Sequence, residues 1–551
     1  MTQKLSAPHA ESRPFANRAD GFTVLAMMLV GMVLRAATIN TRGLWVDETS
    51  SILQASGTLL QTIQSQLGGT HPPLFHILMH YWMEVFGPGV ISIRSFAMLF
   101  GVLAIPAAFW AGSVLYDRRV GLMAAGILTL SPYHIWYSQE ARMYTMLMFF
   151  ALLCVGCFAQ ALDTNERRHW YAYFAVSLLG AFTHYLFLLL LIGQGIYYVV
   201  FEVLDREIRL ERAGERHYSR GNPRGLMRDV PTLIPYSAVV LALAVPVFMW
   251  LDWAVFFPPS HNAVLVGAVI NSGLGYGAPS PSLAIRFNDV IETVVELIFG
   301  SHNPAVAYGL VAMWPLAIYF GMLVMGGGRY VTRRTTMLLC SASGMLVVWG
   351  LGQWSGVVLL SRYLMPMAAP ALILLASVVA QMRTKARRIA ISVGVVLCLV
   401  AYTSQSFDPN SILRYQTREV VQSVAAQAKP DDLILYEPFY IDVIVNYYLP
   451  RQFVAYGFPR FGANGQFRDT KAELFEDLSR IVGPARRVWI IRGFQNVPDI
   501  GYQSFLTDSW FKAHGFRITQ HVYMNKDEWV RYDSTLPTPT PSVVTTGGVT
   551  P

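Results

Sequence analysis

Runs of about twenty mostly apolar residues recur along this chain, near positions 21–40, 92–115, 121–137, 144–162, 170–183, 185–203, 232–251, 304–325, 335–352, 363–382 and 388–403. As a helix at 1.5 Å per residue, such a run matches the ~30 Å hydrocarbon core of a bilayer. No other element lets so many consecutive apolar residues satisfy their backbone groups away from water. Composition agrees. Of 551 residues, 54% are hydrophobic and 14% charged, whereas soluble domains carry roughly 25% charged residues. The expectation is a polytopic all-α membrane protein of about eleven spans.

Basic loops orient the spans. The candidates lie at 116–120, 163–169, 205–229, 326–334 and 383–388. The net charge of +8 comes largely from such clusters; the longest, 205–229, reads most simply as a solvated cytoplasmic loop, with contact to charged lipids as the lesser alternative, and no nucleic-acid partner is expected. One segment decides the parity. Residues 72–87, "PPLFHILMHYWMEVFG", tempt a spanning assignment. If they span, every later basic loop flips outward. If they lie flat, all five fall in the cytoplasm. The segment would be about 24 Å long as a helix, short of a ~30 Å core. His76, His80 and Glu84 recur at i, i+4, i+8 on one face. That pattern describes an interfacial helix. Residues 48–67 read the same way, with Ile52, Leu59, Leu60, Ile63 and Leu67 as the apolar stripe. Residues 288–300 are a third candidate. The N-terminus (1–20) is then cytoplasmic, and 41–91, 138–143, 252–303, 353–362 and everything after 404 lie outside. The four cysteines, Cys154, Cys157, Cys340 and Cys398, all sit in apolar runs and read as small core residues without disulfides.

The C-terminal part changes character. "DLILY" (432–436), "RRVWIIRG" (486–493), "FRITQHVY" (516–523) and "EWVRYD" (528–533) read as strands, the last two as a pair. Helical patterns lie between them, one running through Tyr448 and one near 471–482. The domain division expected is a cytoplasmic segment 1–20, a transmembrane domain 21–406, an extracytoplasmic α/β domain 407–533 and a disordered Pro/Thr tail 534–551.

Parity gathers polar residues at the outer boundary. They are Asp47 and Glu48 after the first run, His71 before a Pro pair, Arg94 at the start of the second run, Gln139, Glu140, Arg142 and Tyr144 between the third and fourth, and Arg362 and Tyr363 at the tenth. Charges of both signs at a membrane boundary are functional candidates. Each also has a plainer use. Asp47 and Glu48 would cap a surface helix, with Asp47 as the N-cap. Arg94 and Arg362 would snorkel to lipid phosphates. Glu140 and Arg142 would pair. His76, His80 and Glu84 have metal-ligand spacing but suit the interfacial helix better.

The stretch "LWVDE…THPPLFHIL…IRS…YDRRVGLMAA…LSPYHIWYSQEARMY" (44–144) resembles the GT-C glycosyltransferases of the protein O-mannosyltransferase type, which include the aminoarabinose transferases acting on lipid A. "SRYLMP" (361–366) is a fainter echo. The resemblance implies an enzyme of the extracytoplasmic face that moves a sugar from a polyprenyl-phosphate carrier to a hydroxyl with inversion. It assigns Asp47 as general base, Glu48 as its neighbour and Glu140 as the second carboxylate. Arg142, Arg362, Arg94 and His71 would hold the phosphate, and Gln139, Tyr144 and Tyr363 would line the site. The aminoarabinose branch has Lys-Pro where this chain has His71-Pro72. The acceptor class stays open among glycan, lipid and protein, and the carboxylates leave room for a divalent metal. A transporter or flippase of lipid-linked glycan is the alternative from another class, but that would place charges at mid-membrane. An oligosaccharyltransferase or lipid-linked polymer ligase is disfavoured, since the outer loops carry no W-W-D or D-x-D.

Overall fold

The computed structural model describes residues 18–67, 71–204, 333–344, 365–407, 416–437, 441–458, 471–493, 498–524 and 527–535. Arg362 and Tyr363, the runs near 232–251 and 304–325, the candidate helix 288–300 and the tail beyond 535 lie outside them. The chain forms two compact units that part at Arg414 and Tyr415.

The first unit is helical: α1 Arg18–Ala36, α2 Val46–Ala55, α3 Leu59–Leu67, α4 Leu74–Phe86, α5 Val90–Leu115, α6 Arg118–Leu130, α7 Pro132–Tyr137, α8 Tyr144–Thr164, α9 Arg167–Thr183, α10 Phe187–Tyr197, α11 Arg333–Ala342, α12 Met365–Gln381 and α13 Thr384–Phe407. Four of the described helices (α1, α5, α8 and α13) are long and apolar enough to cross a membrane. Helix α5 packs against α1, α6 and α8. It can approach α6 closely because Gly112 faces Gly121; a Cβ on Gly112 would sit 2.9 Å from the Gly121 Cα.

Three local expectations change. The run at 121–137 is two helices, not one. Pro132 has no N–H to offer the preceding turn, so the chain breaks at Ser131, whose hydroxyl accepts the His134 N–H at 3.3 Å. The break frees carbonyls at the end of α6, and buried Arg35 of α1 takes them, donating to Leu128 O at 3.1 Å and Thr129 O at 3.3 Å. The stretch 48–67 is also two helices. Thr58 and Gln61 cap the start of α3 reciprocally, Thr58 N–H to the Gln61 side chain at 2.8 Å and Gln61 N–H to the Thr58 hydroxyl at 3.3 Å, a capping box just after Ser56-Gly57. In α4 the polar stripe turns inward. His76 and His80 are buried, while Tyr81, Val85 and Phe86 are exposed. Its inner face packs on α2 and α5, and His80 Nδ1 meets the carbonyl of Ala55 at 3.0 Å, at the end of α2.

The second unit holds a five-stranded sheet of order β2-β1-β3-β5-β4, with β1 Leu433–Glu437, β2 Ala455–Gly457, β3 Arg487–Arg492, β4 Phe516–Met524 and β5 Asp527–Ser534. The first three are parallel and the last two antiparallel. All four sequence-read strands are present, and the expected 516–533 pair forms. Helices Thr417–Gln427 and Asp442–Tyr448 cover one face through Val420, Val421, Val424 and Val445. Helices Lys471–Val482 and Pro498–Ala513 cover the other through Leu474, Leu478, Leu506 and Trp510. The short strand β2 and the helices at 417–427 and 498–513 had no clear pattern in the sequence. All four cysteines of the chain are free thiols.

Candidate active site

The site is built around the first turn of α2, where adjacent carboxylates part company. Glu48 is fully buried. Its Oε1 accepts Arg94 Nε at 2.8 Å and the Ala141 N–H at 2.9 Å; its Oε2 accepts Arg94 Nη2 at 2.7 Å and the Trp45 N–H at 3.4 Å. The N-cap residue is therefore Trp45 rather than Asp47, and Glu48 reaches back to cap it. Arg94 spends its other donors on carbonyls, of Ile39, Arg42 and Gly43, each at 2.9 Å. A guanidinium has five N–H bonds, and those of Arg94 are all engaged. These bonds lock the α1–α2 loop onto α5. Glu48 likewise has both carboxylate oxygens engaged, by Arg94, the Ala141 N–H and the Trp45 N–H.

Asp47, one residue earlier, is half-buried. Its main-chain carbonyl accepts Arg142 Nη1 at 3.2 Å and the Ser51 hydroxyl at 3.0 Å. Arg142 Nη1 also donates to Ser51 Oγ at 2.9 Å, and Nη2 to His71 Nε2 at 2.7 Å. Arg142 is thus anchored by α2 on one side and by the segment before α4 on the other. Glu140, from the same 138–143 loop, is buried, with Arg42 Nη1 4.0 Å from its Oε1. Arg42 lies 3.5 Å over the ring of Trp136, a cation–π arrangement. Gln139 donates to Arg35 O and Thr38 Oγ1, both at 2.7 Å, and accepts from Arg42 at 3.4 Å. It ties the loop to α1 rather than presenting an amide to a ligand. Tyr144 opens α8 in the core, its ring 5.2 Å from that of Tyr137.

Two histidines complete the surroundings. His184, at the break between α9 and α10, places its ring 5.2 Å from His71. His76 is fully buried. Burial, and next the Arg142 charge, push its pKa down to about 3, against a weaker pull from the Pro72 carbonyl. It is a neutral imidazole. Among the described residues no three His, Cys, Asp or Glu side chains come together as a metal site. His76, His80 and Glu84 do not form such a group: His80 meets Ala55 O through Nδ1 at 3.0 Å and stands 3.4 Å from Glu84 Oε1 through Nε2, while His76 is not part of that pair. Arg42, Ser51 and His184 are site residues that sequence reasoning passed over.

Residues 70–213 match the model of the dolichyl-phosphate-mannose-protein mannosyltransferase family. That stretch holds His71, Arg94, Glu140, Arg142 and His184. No curated protein matches the sequence. Among solved structures, ArnT from Cupriavidus metallidurans in the apo state is similar over 94% of this chain and 98% of its own, at 12% identity and a TM-score of 0.57. The same protein bound to undecaprenyl phosphate covers 95% and 100%, at 13% identity and a TM-score of 0.55. The Archaeoglobus fulgidus oligosaccharyltransferase in the apo form covers 92% of this chain and 73% of its own, at 12% identity and a TM-score of 0.53.

Proposed function

We propose that this chain is a glycosyltransferase of the protein O-mannosyltransferase and aminoarabinose transferase-like superfamily, as the family match and the GT-C fold support, and that it moves a sugar from a polyprenyl-phosphate carrier to an acceptor hydroxyl with inversion, on the extracytoplasmic face of the cell membrane. Dependence on a prenyl phosphate is supported by the family match and by the undecaprenyl phosphate in the similar ArnT structure. The observation that carries the reading is Arg142, held at the first turn of α2 by the Asp47 carbonyl and by Ser51. It sets a fixed cation against the backbone of Asp47, in the first turn of the helix that follows the first membrane helix.

The chemistry follows from that pair. The acceptor hydroxyl attacks the anomeric carbon as Asp47 takes its proton. The bond from that carbon to the phosphate oxygen breaks, and the lipid phosphate leaves with the electron pair. Arg142 stabilises the charge that grows on it; a preorganised cation at this point accelerates the step because it is already oriented. Glu140 orients the acceptor or the sugar hydroxyls. Arg362 and Tyr363 stand as further donor contacts from the sequence resemblance.

The test uses the full chain in detergent with a prenyl-phosphate sugar, reading sugar transfer and prenyl phosphate release. Asp47→Asn should lower turnover by about 10²–10⁴-fold, the usual worth of a general base, with unchanged melting. Near-native turnover would remove Asp47 as base. Arg142→Ala should mainly weaken donor binding.

A further inference from the structure

We infer that His71 works as a neutral hydrogen-bond acceptor that aims Arg142 at the donor phosphate, with His184 packed against its ring, rather than as a second cation on that phosphate. The inference rests on the donor-site reading above and deepens it.

The chemistry of the pair is asymmetric. A guanidinium can only donate. Arg142 Nη2 lies 2.7 Å from His71 Nε2, so that nitrogen presents its lone pair and the ring proton sits on Nδ1. In this arrangement His71 carries no charge. An ammonium in its place could not accept the N–H and would repel the guanidinium. This position therefore differs in kind from a lysine at the same place, although both residue types are counted as basic.

The surroundings favour the same state. His184 Nδ1 accepts the Leu186 N–H at 3.1 Å, so His184 also presents a lone pair there. Its ring meets His71 at 5.2 Å between centroids, tilted by 45°. The extended backbone of His184 at the end of α9 fixes where that ring stands. His76, also near Arg142, is held neutral by burial. Two uncharged imidazoles, His71 and His76, thus lie near one guanidinium, and a third, His184, packs on His71. Arg142 is pinned by two carbonyl or hydroxyl oxygens of α2 and by the His71 nitrogen, so its plane is set before a ligand arrives. Preorganisation of this kind reduces the ordering cost of binding a phosphate monoester. His71 and His184 are positioning residues: they act through Arg142.

The experiment measures undecaprenyl phosphate binding to the detergent-solubilised full chain by native mass spectrometry, alongside melting temperature. His71→Gln should stay within about threefold of native affinity, because the amide oxygen can accept the Arg142 N–H. His71→Lys should lose about tenfold or more, the size of one charge-assisted hydrogen bond. A protein in which a lysine binds as well as or better than histidine overturns the proposal. So does one in which Gln loses as much as Lys. If His71→Lys does not fold, His71→Asn takes its place: its amide is too short to reach Arg142, so native affinity there also overturns the idea. His184→Phe should keep affinity by retaining the ring contact, whereas His184→Ala should lower it; equal binding by both removes His184 from the site. Failure of the underlying donor reading looks different: native protein and Arg142→Ala would bind undecaprenyl phosphate equally, and the proposal would fall with it.

Discussion

Glu48→Gln is the sharpest perturbation available at this site, because it separates stability from chemistry. The substitution keeps shape and removes charge. It leaves Arg94, 1% exposed, buried without its carboxylate. Breaking a buried ion pair by removing one partner costs about 3–5 kcal/mol. The Gln side chain also turns an N–H₂ group toward donors, since the carboxylate is met by N–H groups, from Arg94, Ala141 and Trp45. The loss should fall at the upper end of that range. Arg94→Met should cost at least as much, for it strands Glu48 and releases the carbonyls of Ile39, Arg42 and Gly43. The double variant Glu48→Leu, Arg94→Met removes both charges. Its remaining cost is about 5 kcal/mol, for three carbonyls and the N–H groups of Ala141 and Trp45 at roughly 1 kcal/mol each, and so less than the sum of the singles. Thermal melting in detergent gives the order, and transfer per folded molecule gives the activity. A Glu48→Gln protein that melts like native yet loses transfer as Asp47→Asn does would refute the reasoning. Glu48 would then belong to the reaction.

In the second unit, buried Glu437 is pushed up to about 7 by burial, with Arg492 opposing; its oxygens accept from Arg492 at 3.1 Å, Ser504 at 3.3 Å and Thr507 at 3.2 Å. A folded pKa above the unfolded 4.5 means its contribution is full below 4.5 and is lost as pH rises to about 7, a change on the order of 3 kcal/mol at 1.36 kcal/mol per unit. Hydrogen exchange of the β1 and β3 amides should therefore speed up across that window in the native chain and stay flatter in Glu437→Gln; equal slopes would discard the assignment. Glu84, whose side chain is 60% exposed, should as Glu84→Cys be labelled by a membrane-impermeant maleimide on intact cells. Labelling only from the cytoplasmic side would invert the proposed orientation.

What could be read in the sequence was whatever depends on periodicity. The apolar runs, the helix within 72–87 and the four strands each announce themselves over a few turns or alternations. The division between Asp47 and Glu48 could not be read, because it is made by Arg94, which lies 46 residues from Glu48. The inward turn of the α4 histidines was hidden for a related reason. A polar stripe signals two unlike faces without saying which one meets protein. Arg42 had a signal that went unused: it lies in the same loop as Asp47, five positions earlier. His184 sat between two adjoining apolar runs, where a one-residue connection looked like no loop at all. The Ser131-Pro132 break was visible as a Pro inside a run, but its compensation by Arg35 needs the neighbouring helix.

The first turn of α2 also says something about how paired acids can be used. Consecutive side chains on a helix diverge by about 100°. Two adjacent carboxylates therefore cannot share one target. One that turns fully inward, as Glu48 does, leaves its neighbour at an angle to it on the same rigid backbone. Here the inward residue is the longer acid, with the reach to bind Arg94 and Ala141 together. Swapping the two identities would keep charge and composition unchanged. It would shorten the inner arm and lengthen the outer one, so the order of the letters, Asp then Glu, is itself part of the site's geometry.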